Sequence, residues 1–247
     1  LKPLLHLDTR TVAGGTLGDR VESDPGYIDR RVIARAEDPL EPQGGLVALF
    51  GNLAPHGAIL KRSAADRSLF EKEGRAVVFS SLEDLAARVD DPDLEISEDD
   101  FMVLQNAGPK SASGMPEAGY LPIPRKLSSR GVKDMVRISD ARMSGTAFGT
   151  IVLHVSPEAS VGGPLALVRT GDRIRLSVSE RRIDLLVDKA ELERRRADWR
   201  SPNVPAERRR GYDRLYAEEV GQANEGCDFA FLKPVATGGR GAREADA

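Results

Sequence analysis

A single mixed α+β domain, richer in strands than in helices, is the fold class that this 247-residue sequence predicts. Short apolar runs separated by Gly, Pro and Ser clusters indicate strands, namely LVALF, AVVF, FMVL, MVRI and TIVLHV. Residues 173–187 alternate apolar and polar side chains on both sides of a turn at 179–182, which is typical of an antiparallel hairpin. We therefore expect a twisted sheet or a partly closed barrel with helices along its rim. Periodicity does not distinguish a barrel from a sandwich.

Helices are expected where caps and apolar faces coincide. Ser81 can cap a helix whose apolar residues fall on one face. Asp188 and Glu191 have the spacing of a capping box, and Gly74 can end a short helix as its C′ residue. The predicted helices are residues 82–89, the segment KAELERRRADW after Asp188, about 64–73 and about 206–221.

Composition divides the chain into three regions. Residues 1–43 are rich in Gly, Pro and Asp, with few runs long enough for a packed element, so we expect a connecting segment. Residues 44–200 contain the apolar runs and form the predicted domain, whereas 201–247 contain one helix and a tail expected to fray. Because the sequence begins with Leu1 and its first methionine is Met102, we expect a piece of a longer protein or a processed form.

Charge and cysteine usage narrow the classes of function. With 36 Lys and Arg against 39 Asp and Glu, the net charge is -3, and we expect no nucleic-acid partner. No window approaches the roughly 20 apolar residues of a membrane helix, so we expect a cytoplasmic protein with no membrane partner. A single cysteine, Cys227, and three histidines exclude a disulfide framework and a Cys/His zinc site within the chain. Any metal must have oxygen ligands or be shared with another chain.

Two loops with glycines and small polar residues follow apolar strands, where site residues are common. The first, residues 106–119, could bring backbone amides to an anion, and its Glu117 could bind Mg²⁺. The second, residues 139–150, puts Ser144 on a tight turn as a candidate nucleophile or base, provided that a nearby metal lowers the pKa of the hydroxyl. The alternatives, which the residues alone favour, are a solvated glutamate on a surface turn and a turn serine bonded to its own backbone.

Four segments of the sequence are similar, in order, to one known family. They are GNLAPHGAILKRSA, NAGPKSASGMPE, MVRISDARMSGTAFGTIVLHVSPEA and GGPLALVRTGDRI. From about residue 1 to about Phe231 the chain resembles the C-terminal half of the dihydroxy-acid and sugar-acid dehydratases, which are iron–sulfur, Mg²⁺-dependent hydro-lyases. The form SDARMSGTAFGT is more similar to the sugar-acid branch, with substrates such as arabinonate and xylonate, than to the branched-chain branch with its Gly-Arg-Phe-Ser-Gly form.

The resemblance implies a β-barrel-like swivelling domain with flanking helices and roles for three residues. Ser144 matches the family's catalytic serine, an alkoxide that takes the proton from C2 of the substrate. Glu117 matches a carboxylate ligand of Mg²⁺, and Thr146 would hydrogen-bond the substrate carboxylate. Asp140 and Arg142 are expected to be structural.

The resemblance also implies a missing N-terminal half. In the family that half binds the [2Fe-2S] cluster through cysteines and supplies the remaining Mg²⁺ ligands, so residues 1–43 would be the linker from it. We expect this chain alone to be inactive. The complete enzyme is expected to be a homo-oligomer that dehydrates a sugar acid to a 2-keto-3-deoxy acid.

The sequence also departs from the family pattern. The stretch Ser-Ala-Ser at 111–113 stands where glycines and a proline are usual, so the loop is expected to be less able to cradle a carboxylate. Cys227 is expected to be packed or half-buried, and His56 to be an exposed turn residue. The alternatives are a stand-alone binding module or inactive remnant, a branched-chain dihydroxy-acid dehydratase fragment, and an acyl-transfer hydrolase that uses Ser144.

Overall fold

The computed structural model of the chain describes residues 2–24, 26, 28–117, 121–202 and 210–233. It divides into two compact units, Leu1–Gly44 and Gly45–Ala247. In the described part of the first unit, the helical elements are a 3-10 turn at Lys2–Leu4 and helix α1 at Leu17–Glu22, which buries none of its residues. None of the helices in the described ranges is long and apolar enough to cross a membrane.

The second unit is built on one eight-stranded sheet. Its strands are β1 Val47–Leu49, β2 Gly57–Leu60, β3 Glu71–Phe79, β4 Phe101–Leu104, β5 Arg137–Ser139, β6 Ile151–Ser156, β7 Arg173–Ser177 and β8 Arg182–Leu185. Their order is β1-β2-β6-β5-β4-β3-β7-β8. The four central strands β6, β5, β4 and β3 are mutually parallel, and the outer pairs are antiparallel. The predicted hairpin is the pair β7–β8.

Phe50 brings the two edges of this sheet together. Its backbone N–H donates to the Arg181 carbonyl at 2.9 Å, and its carbonyl accepts from the Ile183 N–H at 2.9 Å. Phe50 directly follows β1, and Arg181 and Ile183 flank the start of β8, so the sheet nearly closes into a barrel. The mixed α+β, barrel-like fold expected from the sequence is therefore confirmed.

Strand β4 separates two apolar cores, because all four of its residues are buried. Successive side chains of a strand point to opposite faces, and Phe101 belongs to one apolar cluster while Met102 belongs to the other. The cluster around Phe101 draws side chains from all eight strands and fills the barrel. The second cluster includes Leu85 and Leu127 and covers the outer face of the sheet.

The helices of the second unit lie between the strands or after them. They are α2 Leu82–Arg88, α3 Arg125–Ser128, α4 Lys189–Asp198 and α5 Tyr212–Glu219. The predicted cap of α2 is confirmed, since the Ser81 side chain accepts a hydrogen bond from the Asp84 N–H at 3.2 Å. The predicted helix at about 206–221 is present as α5, while residues 203–209 and the tail 234–247 lie outside the described residues.

The capping box predicted for α4 is wrong. The Asp188 side chain makes no cap hydrogen bond. Glu191 instead accepts hydrogen bonds from Arg194 Nε at 2.8 Å and Arg195 Nε at 2.7 Å. These bonds lower the pKa of Glu191 to about 2. The carboxylate therefore belongs to an ion-paired face rather than to the helix start.

The helix predicted at about 64–73 is also wrong. Two 3-10 turns, Arg62–Ala64 and Arg67–Leu69, come first, and Glu71 already begins strand β3, which pairs with β7. Gly74 lies inside that strand. A Cβ there would come 2.2 Å from Phe101 Cδ1, so this glycine is required by the close packing of an aromatic ring and not as a helix terminator.

Candidate active site

The two loops singled out in the sequence begin at the same edge of the sheet. β4 and β5 are parallel neighbours, with Met102 paired to Arg137 and Leu104 to Ser139. Carboxyl ends of parallel strands meet at one edge, and that edge is a common location for sites in α/β proteins. The loop after β4 carries Glu117, and the loop after β5 carries Ser144.

Asp140 fastens the start of both loops, which gives it the structural role expected of it. The carboxylate is fully buried, and its two oxygens accept hydrogen bonds from the Ala107 N–H at 2.9 Å and the Ala159 N–H at 2.8 Å. Burial raises the pKa of Asp140 to about 7. The side chain joins β5 to the loop after β4 and to the segment after β6.

Glu158 holds the middle of the first loop. Its carboxylate accepts the Lys110 N–H at 3.0 Å and the Gln222 Nε2–H at 2.7 Å. Burial raises the pKa of Glu158 as well. Two buried carboxylates therefore support the loop that carries Glu117.

The predicted metal ligand and the predicted serine loop are in direct contact. Arg142 donates its backbone N–H to the Pro116 carbonyl at 2.9 Å, and its Nη2 donates to Glu117 Oε1 at 2.6 Å. The side chains of Glu117 and Arg142 are 50% and 49% exposed, so a cation or an anionic ligand can reach this pair.

Ser144 lies at the first position of a tight turn. The Ala147 N–H donates to the Ser144 carbonyl at 3.1 Å, and the Thr146 N–H donates to Ser144 Oγ at 3.2 Å. The two hydroxyls, Ser144 Oγ and Thr146 Oγ1, are 3.0 Å apart. The alternative interpretation, a turn serine bonded to its own backbone, thus describes the local geometry correctly. It does not explain why other polar side chains lie around the same turn.

All three predicted site residues line one cavity of about 250 Å³. Glu117, Ser144 and Thr146 all line it, and Arg137 contributes to the lining as well. The Arg137 side chain is buried and paired with Asp134 at 2.9 Å. Hydroxyls, a carboxylate and a buried guanidinium therefore converge on a space large enough for a small polar molecule. The remaining lining residues are Leu121, Pro122, Ala147, Phe148 and Ile151.

A second and larger cavity, about 660 Å³, also reaches Ser144. It contains two functional candidates that the sequence reading missed, Lys61 and His154. Lys61 Nζ donates to the Gly145 carbonyl and, at 3.4 Å, to the Ala147 carbonyl. His154 Nε2 accepts the Met143 N–H at 2.9 Å. Lys61 is 83 positions before Ser144, and only the pairing of β2 with β6 brings it near.

Of the two cofactors that the resemblance implies, this chain could contribute a ligand to Mg²⁺ but could not hold the [2Fe-2S] cluster. Within the described ranges, no group of three or more His, Cys, Asp or Glu side chains could hold a metal ion. Glu117 is accessible and could supply one oxygen ligand to Mg²⁺, which commonly uses one or two protein carboxylates with other oxygens. A [2Fe-2S] cluster does not fit, because it needs several cysteine ligands and the chain has one.

The remaining expectations concern three segments around the site. Cys227 is half-buried with Sγ 3.6 Å from Met115 Sδ, as expected, and burial raises the pKa of its thiol. His56 is exposed, also as expected. None of the residues 111–113 has a positive φ; the left-handed positions next to them are Gly114 at φ 62° and Met115 at φ 58°. The Ser-Ala-Ser stretch therefore causes no backbone strain.

Comparison with known proteins identifies the class to which this barrel and its two loops belong. Residues 31–227 match the family model described as dihydroxy-acid/6-phosphogluconate dehydratase C-terminal. The chain belongs to this family and corresponds to its C-terminal domain.

Individual relatives carry the names of several dehydratases. An L-arabinonate dehydratase of Rhizobium leguminosarum bv. trifolii is 49% identical over 93% of this chain and 39% of its own length. A 6-deoxy-6-sulfo-D-gluconate dehydratase of Pseudomonas putida is 47% identical over 94% of this chain and 40% of its own length. A dihydroxy-acid dehydratase of Thermus thermophilus is 42% identical, with 91% and 39% covered. The chain thus spans about two fifths of the length of these relatives.

Proposed function

We propose that this chain is the C-terminal part of a hydro-lyase that dehydrates an aldonate to a 2-keto-3-deoxy acid. The observation that carries the proposal is the convergence of Glu117, Ser144 and Thr146 on one cavity, from two loops that the fold brings together. The higher identity to the arabinonate and sulfogluconate dehydratases than to the dihydroxy-acid dehydratase supports a sugar acid as the substrate.

In this proposal Ser144 is the base. Its deprotonated hydroxyl takes the proton from C2, and the C2–H electron pair forms the C2=C3 double bond as the C3–O bond breaks. The leaving hydroxide takes up the proton removed from C2 and departs as water, and the resulting enol tautomerises to the keto acid. Thr146 donates a hydrogen bond to the substrate carboxylate. Glu117, with ligands from elsewhere, would hold Mg²⁺, which would supply charge stabilisation to the carboxylate beside C2. The iron–sulfur chemistry belongs to the N-terminal portion, and no step of it is assigned to these residues.

In the active enzyme this chain acts together with an N-terminal portion, on the same polypeptide or on a separate chain. The remaining cofactor ligands come from an N-terminal portion, and the complete enzyme is a cytoplasmic homo-oligomer. The chain by itself binds no cluster and has no dehydratase activity.

The first test is the mass of the native protein under denaturing conditions, captured from its source with an antibody to this chain. A species about twice this mass or larger, with aldonate dehydratase activity that the 247-residue chain alone lacks, is the expected result. Arabinonate, xylonate and a branched-chain 2,3-dihydroxy acid serve as substrates. A preference for the branched-chain acid would contradict the sugar-acid assignment, and activity of the chain alone would contradict the requirement for a partner.

A further inference from the structure

The turn that carries Ser144 has little support of its own. Gly145 and Thr146 are exposed, and a Cβ on Gly145 would have no atom within 4 Å. The bonds inside the turn, from the Ala147 N–H and the Thr146 N–H to Ser144, fix its shape but not its position. Its position must therefore be set by contacts with other elements.

His154 of β6 holds the residue before Ser144. Its ring Nε2 accepts a hydrogen bond from the Met143 N–H at 2.9 Å, and its backbone N–H donates to the Ala141 carbonyl at 3.0 Å. Burial, then the charge of Arg142, lower the pKa of His154, so the imidazole keeps the neutral form that can accept a hydrogen bond. His154 has a φ of 55°, a left-handed backbone that side-chain-bearing residues rarely adopt and that persists where the surroundings require it.

Lys61 holds the residues after Ser144. It follows the last residue of β2, and the pairing of Leu60 with Val152 brings it beside the loop that leads into β6. Its ammonium donates to the carbonyls of Gly145 and Ala147, on both sides of Thr146. Lys61 is also the one Lys, Arg, Asp or Glu among the described residues that line the cavity of about 660 Å³.

We propose that Lys61 and His154 are positioning residues that hold the Ser144 hydroxyl in its reactive place from the two sides of the turn. This inference rests on the proposed function, because it gives Ser144 the role of base. A base must stay within a fraction of an ångström of its productive position, and a shift of about 1 Å can cost about 100-fold in rate. Two anchors from β2 and β6 provide that constraint, and the Lys61 ammonium places a positive charge in a cavity that Ser144 shares.

The test compares paired variants in the full-length dehydratase. Lys61→Met and His154→Leu remove the donor and the acceptor, whereas Lys61→Arg and His154→Gln keep them. Lys126→Met is the matched control, because the Lys126 ammonium donates in the same manner to the Leu94 and Pro92 carbonyls. Lys61→Met and His154→Leu are expected to lower kcat about 10- to 100-fold with KM changed less than about threefold. Lys61→Arg and His154→Gln should recover most of kcat, and Lys126→Met should leave it unchanged.

A second readout does not depend on activity. Hydrogen exchange of the peptide that contains residues 142–148 should become faster in Lys61→Met and in His154→Leu, and should not change in Lys126→Met. If a variant folds poorly, its conservative partner still reports on the anchor, since Lys61→Arg and His154→Gln must keep slow exchange.

The outcomes separate this inference from the proposed function. Wild-type kcat and exchange in Lys61→Met and His154→Leu, with Ser144→Ala inactive, would overturn the positioning role alone. A rise in KM without a fall in kcat would overturn it in favour of substrate binding. If kcat falls in proportion to thermal stability and the conservative variants do not restore it, both residues have only a structural role and the positioning role is overturned. Full activity of Ser144→Ala would overturn the proposed function itself.

Discussion

Glu117 Oε1 lies 2.6 Å from Arg142 Nη2, and this ion pair joins the loop after β4 to the loop after β5. Both side chains are about half exposed, so the pair itself adds little to stability, typically about 0–1 kcal/mol. The ion pair matters because it fixes the position of one loop relative to the other. It keeps the Glu117 carboxylate at the cavity that Ser144 also lines.

Glu117→Gln should weaken Mg²⁺ binding without unfolding the protein. Gln keeps the size of the side chain and loses the charge that a hard cation prefers, so we expect the apparent Mg²⁺ affinity of the full-length dehydratase to fall about 10-fold or more. Activity titrated against Mg²⁺ measures the change. Glu193→Gln, an exposed and ion-paired glutamate of α4, is the control and should have no effect. Equal Mg²⁺ dependence in both variants would remove Glu117 from the ligand set.

Gly74→Ala should destabilise the barrel. The added Cβ would meet the Phe101 ring at 2.2 Å inside the core, and overpacking of this kind costs about 1–3 kcal/mol. Urea unfolding measures the loss. Phe101→Leu should reduce the effect of Gly74→Ala when the two are combined, because the smaller side chain leaves room. Additive losses in the double variant would show that the clash is not the cause.

The buried carboxyls should make the protein less stable as the pH rises. Burial raises the pKa of Asp140 from 3.8 to about 7 and raises that of Glu158. Between the pKa of Asp140 in the unfolded chain and its higher pKa in the folded protein, the folded state keeps a proton that the unfolded state has released. The free energy of unfolding therefore falls as the pH rises from about 4 to about 7. Unfolding in urea at several pH values measures the slope.

The control for this pH dependence is Asp140→Asn, which has no proton to release at that position. Its free energy of unfolding should fall less steeply over the same window, whatever its absolute stability. A slope identical to that of the unsubstituted protein would mean that Asp140 is ionised throughout, held so by the Ala107 and Ala159 N–H groups.

The parts of the fold that could be predicted are those encoded by short-range patterns. The apolar runs lie in or beside strands, and the alternation at 173–187 gives the β7–β8 hairpin. The helix expected at about 64–73 is wrong because Gly74 is interpreted there as a helix terminator, whereas the pairing of Glu71 with Ser177 in β7 makes the end of this segment a strand. A glycine such as Gly74 can end a helix or leave room for a closely packed side chain. The contact with the Phe101 ring shows that Gly74 has the second role.

The candidate site residues also fall into two groups, those that could be predicted from local sequence patterns and those that could not. Glu117 and Ser144 lie in recognisable loops, so their placement could be expected before the fold was known. Lys61 and His154 could not be found from local pattern, because neither lies in a glycine-rich loop. Lys61 reaches the turn through the pairing of β2 with β6. His154 has a left-handed backbone conformation, and the local sequence does not predict it. Contacts that depend on tertiary pairing are the ones that sequence reasoning missed.

The central claim, that Ser144 is the base of a dehydratase, is tested most directly by the turnover of Ser144→Ala in the full-length enzyme with an aldonate substrate. We predict that kcat falls by about 1,000-fold or more while thermal stability and Mg²⁺ binding stay close to those of the unsubstituted enzyme. Ser128→Ala, which removes a hydroxyl bonded only to the Arg125 carbonyl in the described structure, should retain full activity. Turnover of Ser144→Ala within about twofold of the unsubstituted enzyme would contradict the claim.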